Sequence, residues 1–166
     1  MELKEAINKL EKNSEFKQWK QKNPDAFFSY ALKILEENIE QPWNLGFYHK
    51  STDKVATFIV DEKIDMQKEE EIFKKPGTEV KLIETEKAKM PFSDILGKVK
   101  GFTDKTYPNE LIKKTIAILQ NLEKYDTIWN ITHITRSFNT INIKAGAEDG
   151  RILYNNIESI MGLIKK

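Results

Sequence analysis

The 166-residue chain contains no cysteine. That excludes a disulfide scaffold, a thiolate zinc site, a cysteine nucleophile and cysteine-ligated iron–sulfur clusters. It also lacks a dominant charge: 27 Lys and Arg stand against 26 Asp and Glu, a formal charge of +1. This balance excludes a strongly basic nucleic-acid binder, though not a local basic patch. No apolar run approaches the roughly 20 residues of a membrane helix. The opening segment, MELKEAINKLEKNSEFKQWK, is charged throughout and does not read as a signal peptide. The expectation is a cytoplasmic protein without membrane contact. Arginine is scarce, with only Arg136 and Arg151. The Ile- and Lys-rich remainder fits either a thermophile, where ion pairs gain value with temperature, or an AT-rich genome.

Motifs of known chemistry are missing too. Gly97 and Gly101 stand without the Lys-Ser/Thr of a phosphate-binding loop. There is no nucleophile elbow. Asp61-Glu62-Lys63-Ile64-Asp65 lacks the glycine and terminal glutamate of a calcium loop. Glu69-Glu70-Glu71 reads as a solvated run, because neighbouring side chains diverge on a helix or a strand. No catalytic, cofactor-binding or metal-ligating residue is assigned, and no cofactor is expected.

What is present is enough for a core: 39% of residues are apolar and 10% aromatic. Leu3, Ala6, Ile7 and Leu10 form one helical stripe. Asn13-Ser14 interrupts it, and Ser14 can cap a second helix bearing Phe16 and Trp19. Residues 26–36 fit a strand or a helix, with aromatics favouring the strand, and 111–121 carry the same ambiguity. Pro42–Tyr48 and Val55–Val60 read as strands, and Ile64 and Met66 as the start of a short fourth one. The charged stretch 67–90 reads as a connector, with a short strand at Val80–Ile83. Pro91–Thr103 is helical, with Ile95, Val99 and Phe102 aligned. Ile128–Thr135 and Phe138–Lys144 alternate as strands, and Glu148-Asp149-Gly150 predicts a hairpin returning through Ile152–Tyr154. Ile157, Ile160, Met161 and Ile164 form a terminal helical stripe.

Two stretches look alike. Trp43-Asn44-Leu45 matches Trp129-Asn130-Ile131, and the spacing from Trp43 to Val55 equals that from Trp129 to Ile141. Ser51 and Ser137 fall in register, and Ile34-Leu35-Glu36 aligns with Ile118-Leu119-Gln120 after a two-residue shift. The expected fold is therefore α+β, two tandem helix-plus-antiparallel-sheet (α-β-β-β) repeats. The first spans 1–66, a charged connector 67–90, and the second repeat with a C-terminal helix 91–166. A helix from each unit can cover the apolar face of its sheet. This unit resembles the PepSY domain, a fold also seen in tandem in the β-lactamase inhibitor protein. The resemblance rests on Trp129-Asn130-Ile131-Thr132, on Phe138–Ile143 and on the AGAEDGRIL turn at 145–153. It implies structural motif residues and transfers no catalytic one. PepSY domains usually sit outside the cytoplasm, so a protease-inhibitor role is not carried over.

The candidate sites follow. Trp43 and Trp129 read as core anchors of equivalent strands. Tyr48, Lys50 and Arg136 form a candidate partner surface. Tyr30 and His133 are candidate pocket residues, with His133 on the Trp129/Ile131 face where the first stretch has Phe47. His49, beside Lys50, reads as solvated. The favoured class is a non-catalytic module that binds a protein, a peptide or a second copy as a homodimer. Lysines interleaved with glutamates argue against nucleic acid. The alternative is a small-ligand carrier or small enzyme of the cystatin/NTF2-like type. A carrier predicts a deep pocket; an interaction module predicts a filled core and an exposed sheet face or edge.

Overall fold

The computed structural model describes residues 1–37, 39–72, 74 and 76–161. The chain opens with α1 (Leu3–Lys12), whose Leu3, Ala6 and Leu10 are buried at helical spacing. Asn13 takes an extended backbone and caps α2 (Ser14–Lys22), its side chain accepting the Phe16 N–H at 2.9 Å. Asparagine at 13, not Ser14, is thus the cap. Among the described residues ten strands follow, two of them two-residue pieces, with one intervening α-helix: β1 (Phe27–Glu36), β2 (Ile39–Glu40), β3 (Trp43–His49), β4 (Lys54–Val60), β5 (Ile64–Met66) and β6 (Glu70–Glu71) precede α3 (Phe92–Thr106). After α3 come β7 (Ile112–Leu122) and β8 (Asp126–Thr135), then β9 (Asn139–Gly146) and β10 (Ile152–Ser159).

The fold is α+β, with helices laid on an antiparallel sheet ordered β10-β9-β8-β7-β1-β3-β4-β5. The two pieces β2 and β6 pair with β1 and β4. At the centre β1 and β7 run antiparallel, Ala31 opposite Leu119 and Leu32 opposite Ile118. Side chains alternate between faces. Trp43, Leu45, Phe58, Val60, Leu119, Trp129, Ile131, Ile141 and Ile143 point to the helices and are buried with Leu3, Leu10, Ile95 and Val99. Trp43 and Trp129 meet near the middle, ring centroids 6.1 Å apart, with Phe92 packed on both at 5.1 and 4.7 Å. The start of α3 is tied to the start of the chain. Glu2 accepts the Phe92 and Ser93 backbone N–H groups at 2.7 and 3.1 Å. Burial raises the Glu2 carboxyl, but hydrogen bonds from Ser93 and Phe92 outweigh it and hold the group below its ordinary value.

The strand favoured within 26–36 is β1, and the ambiguous stretch 111–121 is strand too, within β7. Other expectations change. Val80–Ile83 is not a strand; a short 3-10 turn at Thr85–Lys87 follows it, and Ile83 is buried. Ile157 belongs to β10 opposite Ile141, so the terminal apolar stripe is not one helix; Ile164 lies outside the described residues. Val55 and Ile141 do not occupy matching places. Val55 opposes Tyr48 on the helix-free face, whereas Ile141 opposes His133 beneath α3. The turn after β3 holds residues 50–53 and that after β8 only 136–138, so the following strands differ in register by one. Leu32, not Ile34, stands where Ile118 does: Leu32 faces Asn44 as Ile118 faces Asn130.

Candidate functional site

The helices leave the other face of the sheet open. Its centre is apolar: Leu32 and Ile34 of β1, Ile116 and Ile118 of β7, with Ile59 and Ile134 outside them, are all half-buried. One row runs across six strands as Ile59, Asn44, Leu32, Ile118, Asn130 and Lys144. Next to it Ile34 opposes Ile116, which opposes Thr132 and then Asn142. The apolar strip is bounded on one side by a hydrogen-bonded amide ladder. Asn130 donates to Gln120 at 2.9 Å, Asn142 to Asn130 at 2.7 Å, and Lys144 to Asn142 at 2.8 Å. Lys144 also sits 4.1 Å from the Tyr154 ring centroid. A shallow recess of about 380 Å³ opens on this face between Leu32, Ile34, Asn44 and Ile59. Charge here is neutralised, since Lys114 pairs with Glu36 at 3.7 Å.

Tyr30 stiffens this face. Its ring lies on Gly46 and its hydroxyl is 2.6 Å from Thr57 Oγ1. A Cβ added at Gly46 would fall on Cε1 and Cδ1 of that ring. Gly46→Ala is therefore expected to destabilise by about 1–3 kcal/mol through overpacking. Tyr30→Ala should cancel most of that added cost, which a double-mutant cycle by denaturant unfolding checks.

The candidate residues separate. Tyr48 and Lys50 do share a recess of about 520 Å³, with Phe27, Lys74 and the segment 77–82. Tyr48 is buried there rather than exposed, and its hydroxyl donates to Asp53. That bond, with burial, raises the Tyr48 phenol; the same bond and Lys74, 3.0 Å away, lower Asp53. Lys50 lies 3.7 Å from Glu79. Arg136 is elsewhere. Because β1 and β7 are antiparallel, β3 and β8 end at opposite ends of the sheet, so the turns bearing Lys50 and Arg136 do not form one patch. Tyr30 and His133 are likewise apart: Tyr30 faces the open side, His133 the helices.

His133 lines a cleft of about 430 Å³ between α3 and the start of β7, with Leu96, Thr103, Glu110, Ile112 and Thr115. Its Nδ1 is 2.8 Å from Thr115 Oγ1, and its buried Nε2 has no partner among the described residues. Burial lowers its pKa to about 4. His49 was not legible as a buried group. It is covered, with Trp19 edge-on at 5.5 Å, Glu69 3.1 Å from Nε2 without hydrogen-bond alignment, and Asp25 3.9 Å from Nδ1. Ser51 donates to the other Asp25 oxygen at 2.9 Å. Lys33 was missed too. It is buried on the helix side, 3.4 Å from Glu40 and 5.1 Å from the Trp43 ring centroid. Among the described residues no group of three or more His, Asp or Glu is placed to hold a metal ion, and no helix is long and apolar enough to cross a membrane.

No protein-family model and no curated protein sequence matches the chain. Among solved structures, a putative lipoprotein from Clostridium difficile 630 is similar. The match has a TM-score of 0.54 and 13% identity, covering 87% of this chain and 90% of that one. At that identity the likeness extends to the fold.

Proposed function

We propose that the chain is two copies of one PepSY-like helix-and-strand unit, and that it works as a non-catalytic interaction module. The duplication is supported by the sheet order, which reads alike from either edge, with the first strand of each copy at the centre. A single constant offset carries the pairs Ala31–Leu45 and Leu32–Asn44 onto Ala117–Ile131 and Ile118–Asn130, and Trp43 onto Trp129. The interaction role rests on one observation: one face of the sheet fills a core, while the other displays an apolar strip that no helix among the described residues covers. Contiguous exposed apolar surface rimmed by polar groups marks a contact site. The near-neutral strip suits a protein surface with an apolar centre rather than a polyanion, because its lysines are engaged by Glu36, Asn142 and Tyr154.

The test is a mass-resolved size measurement of the protein purified from its own source. A protein partner, or a second copy, is expected in fixed stoichiometry. Ile116→Lys and Ile34→Lys should release it while changing stability by only about 1 kcal/mol, since a lysine stem can lie along the sheet. Lys50→Glu should retain it. A bound metabolite instead of a protein, a bare monomer, or a partner kept by both isoleucine variants overturns the reading. The carrier alternative would be favoured by a metabolite lost on filling the His133 cleft.

A further inference from the structure

The two central strands carry matched side chains on the open face. Turned to that side, Glu36 of β1 stands opposite Lys114 of β7, Ile34 opposite Ile116, and Leu32 opposite Ile118. Each pair is acid beside base or apolar beside apolar. The Leu32 row runs outward from this centre to both margins of the sheet. On one side it passes through Asn44 and Ile59 to the exposed Asp65 of β5. On the other it passes through Asn130 and Lys144 to Tyr154 of β10. An amide thus stands at the same distance from the midline on either side, and the two margins differ in charge.

From this layout we infer that the open face is covered by the same face of a second copy, about a two-fold axis parallel to β1 and β7 and midway between them. Such a dimer presupposes the contact role proposed above and fixes the partner as the chain itself. In a two-fold contact residue i meets j while j meets i. This axis therefore lays each β1 side chain over its β7 neighbour from the other copy. Ile34 meets Ile116, Leu32 meets Ile118, and Asn44 meets Asn130, each twice. Glu36 meets Lys114 twice, so one surface ion pair of 3.7 Å becomes a ring of four alternating charges. At the margins the Asp65 carboxylate comes against Tyr154 and Lys144 of the second copy. No like charges oppose each other in these rows. The extent fits as well. Eight strands spaced about 4.8 Å apart and about 20 Å long offer about 700 Å² per copy, close to the roughly 800 Å² per partner of a standard stable interface. Face-to-face stacking with interdigitated side chains is how two sheets build a common core. An unlike partner would need its own acid, base and amides placed to match; a second copy brings them by symmetry.

The experiment measures the mass of the full chain, expressed alone, by sedimentation equilibrium over a concentration series. A monomer–dimer equilibrium is expected, and Ile116→Lys should abolish it. Glu36→Lys sets cation on cation across the axis and Lys114→Glu sets acid on acid, so each variant alone should dimerise at least about tenfold more weakly. Mixed together the two should pair, because each then faces the opposite charge of the other. With one variant 15N-labelled, native mass spectrometry separates that heterodimer from either homodimer. Both charge changes fall on partly exposed side chains, so they carry the test if Ile116→Lys fails to fold. A monomer at every concentration, a dimer kept by Ile116→Lys, or charge variants that pair no better mixed than alone overturns the two-fold dimer. If the chain expressed alone is monomeric while the protein from its own source holds a different partner that Ile116→Lys releases, the dimer is refuted and the contact role of the face stands.

Discussion

Replacing Trp43 or Trp129 by alanine is expected to cost about 3–5 kcal/mol each, the range for a buried aromatic truncated in a close-packed core. A domain of this size is stable by about 5–15 kcal/mol, so either change removes a large part of the total. Each indole is fully enclosed, and both pack on Phe92. The two losses should not add. Removing one ring already frees Phe92 and opens space beside the other, so the double variant should cost about 0.5–3 kcal/mol less than the sum. Urea unfolding of the four species measures this, and strict additivity would refute a shared anchor. The phenylalanine variants separate packing from hydrogen bonding. Trp43→Phe strands the Met1 carbonyl that accepted its N–H, whereas Trp129→Phe deletes a donor that has no partner among the described residues. Trp129→Phe should therefore be milder by about 1 kcal/mol.

The alternation of β9 was readable because one of its faces is wet: Ile141, Ile143 and Ala145 turn inward, Asn142 and Lys144 outward. The central strands resisted. β1 and β7 carry apolar residues on both sides, Ala31 and Leu35 beneath the helices and Leu32 and Ile34 opposite. A continuous apolar run has no period, and it fits a helix as well as a strand. The open face was invisible for the same reason, since its isoleucines read as core. At the tail, Ile157, Ile160 and Met161 have helical spacing, yet the β9–β10 turn commits Ile157 to a ladder with Ile141.

Long-range contacts account for the site residues that moved. His49 is covered by Trp19 and approached by Glu69 from a different segment, which no local pattern announces. The separation of Lys50 from Arg136 follows from the antiparallel meeting of β1 and β7. Had those strands been parallel, the two turns would share an end. The tryptophan match was legible because both indoles anchor the second strand of their half. The unequal fate of their N–H groups was not, because it depends on where the first residue of the chain lies relative to Trp43.

Between pH 6.5 and 4 the protein is expected to lose about 3 kcal/mol of stability through His133 alone, about 2 of it by pH 5. Burial lowers the folded-state pKa to about 4, while the unfolded chain titrates near the ordinary 6.5. The unfolded state therefore binds the proton first as pH falls. The favourable balance is complete above the unfolded value, declines through this window, and is exhausted below the folded one. Glu2, Asp25, Asp53 and Glu110 are all held below their ordinary carboxylate values, so their titration falls lower on the pH scale and leaves the upper part of the window to histidine. The discriminating variant pairs His133→Phe with Thr115→Val. Phenylalanine is what β3 carries at the matching place, Phe47, and valine avoids stranding the Thr115 hydroxyl that now meets Nδ1. Denaturant unfolding from pH 7 to 5 should show a falling wild-type stability and a nearly flat double variant. Parallel slopes would mean that His133 gains a partner for its proton in the folded state, which the bare Nε2 argues against.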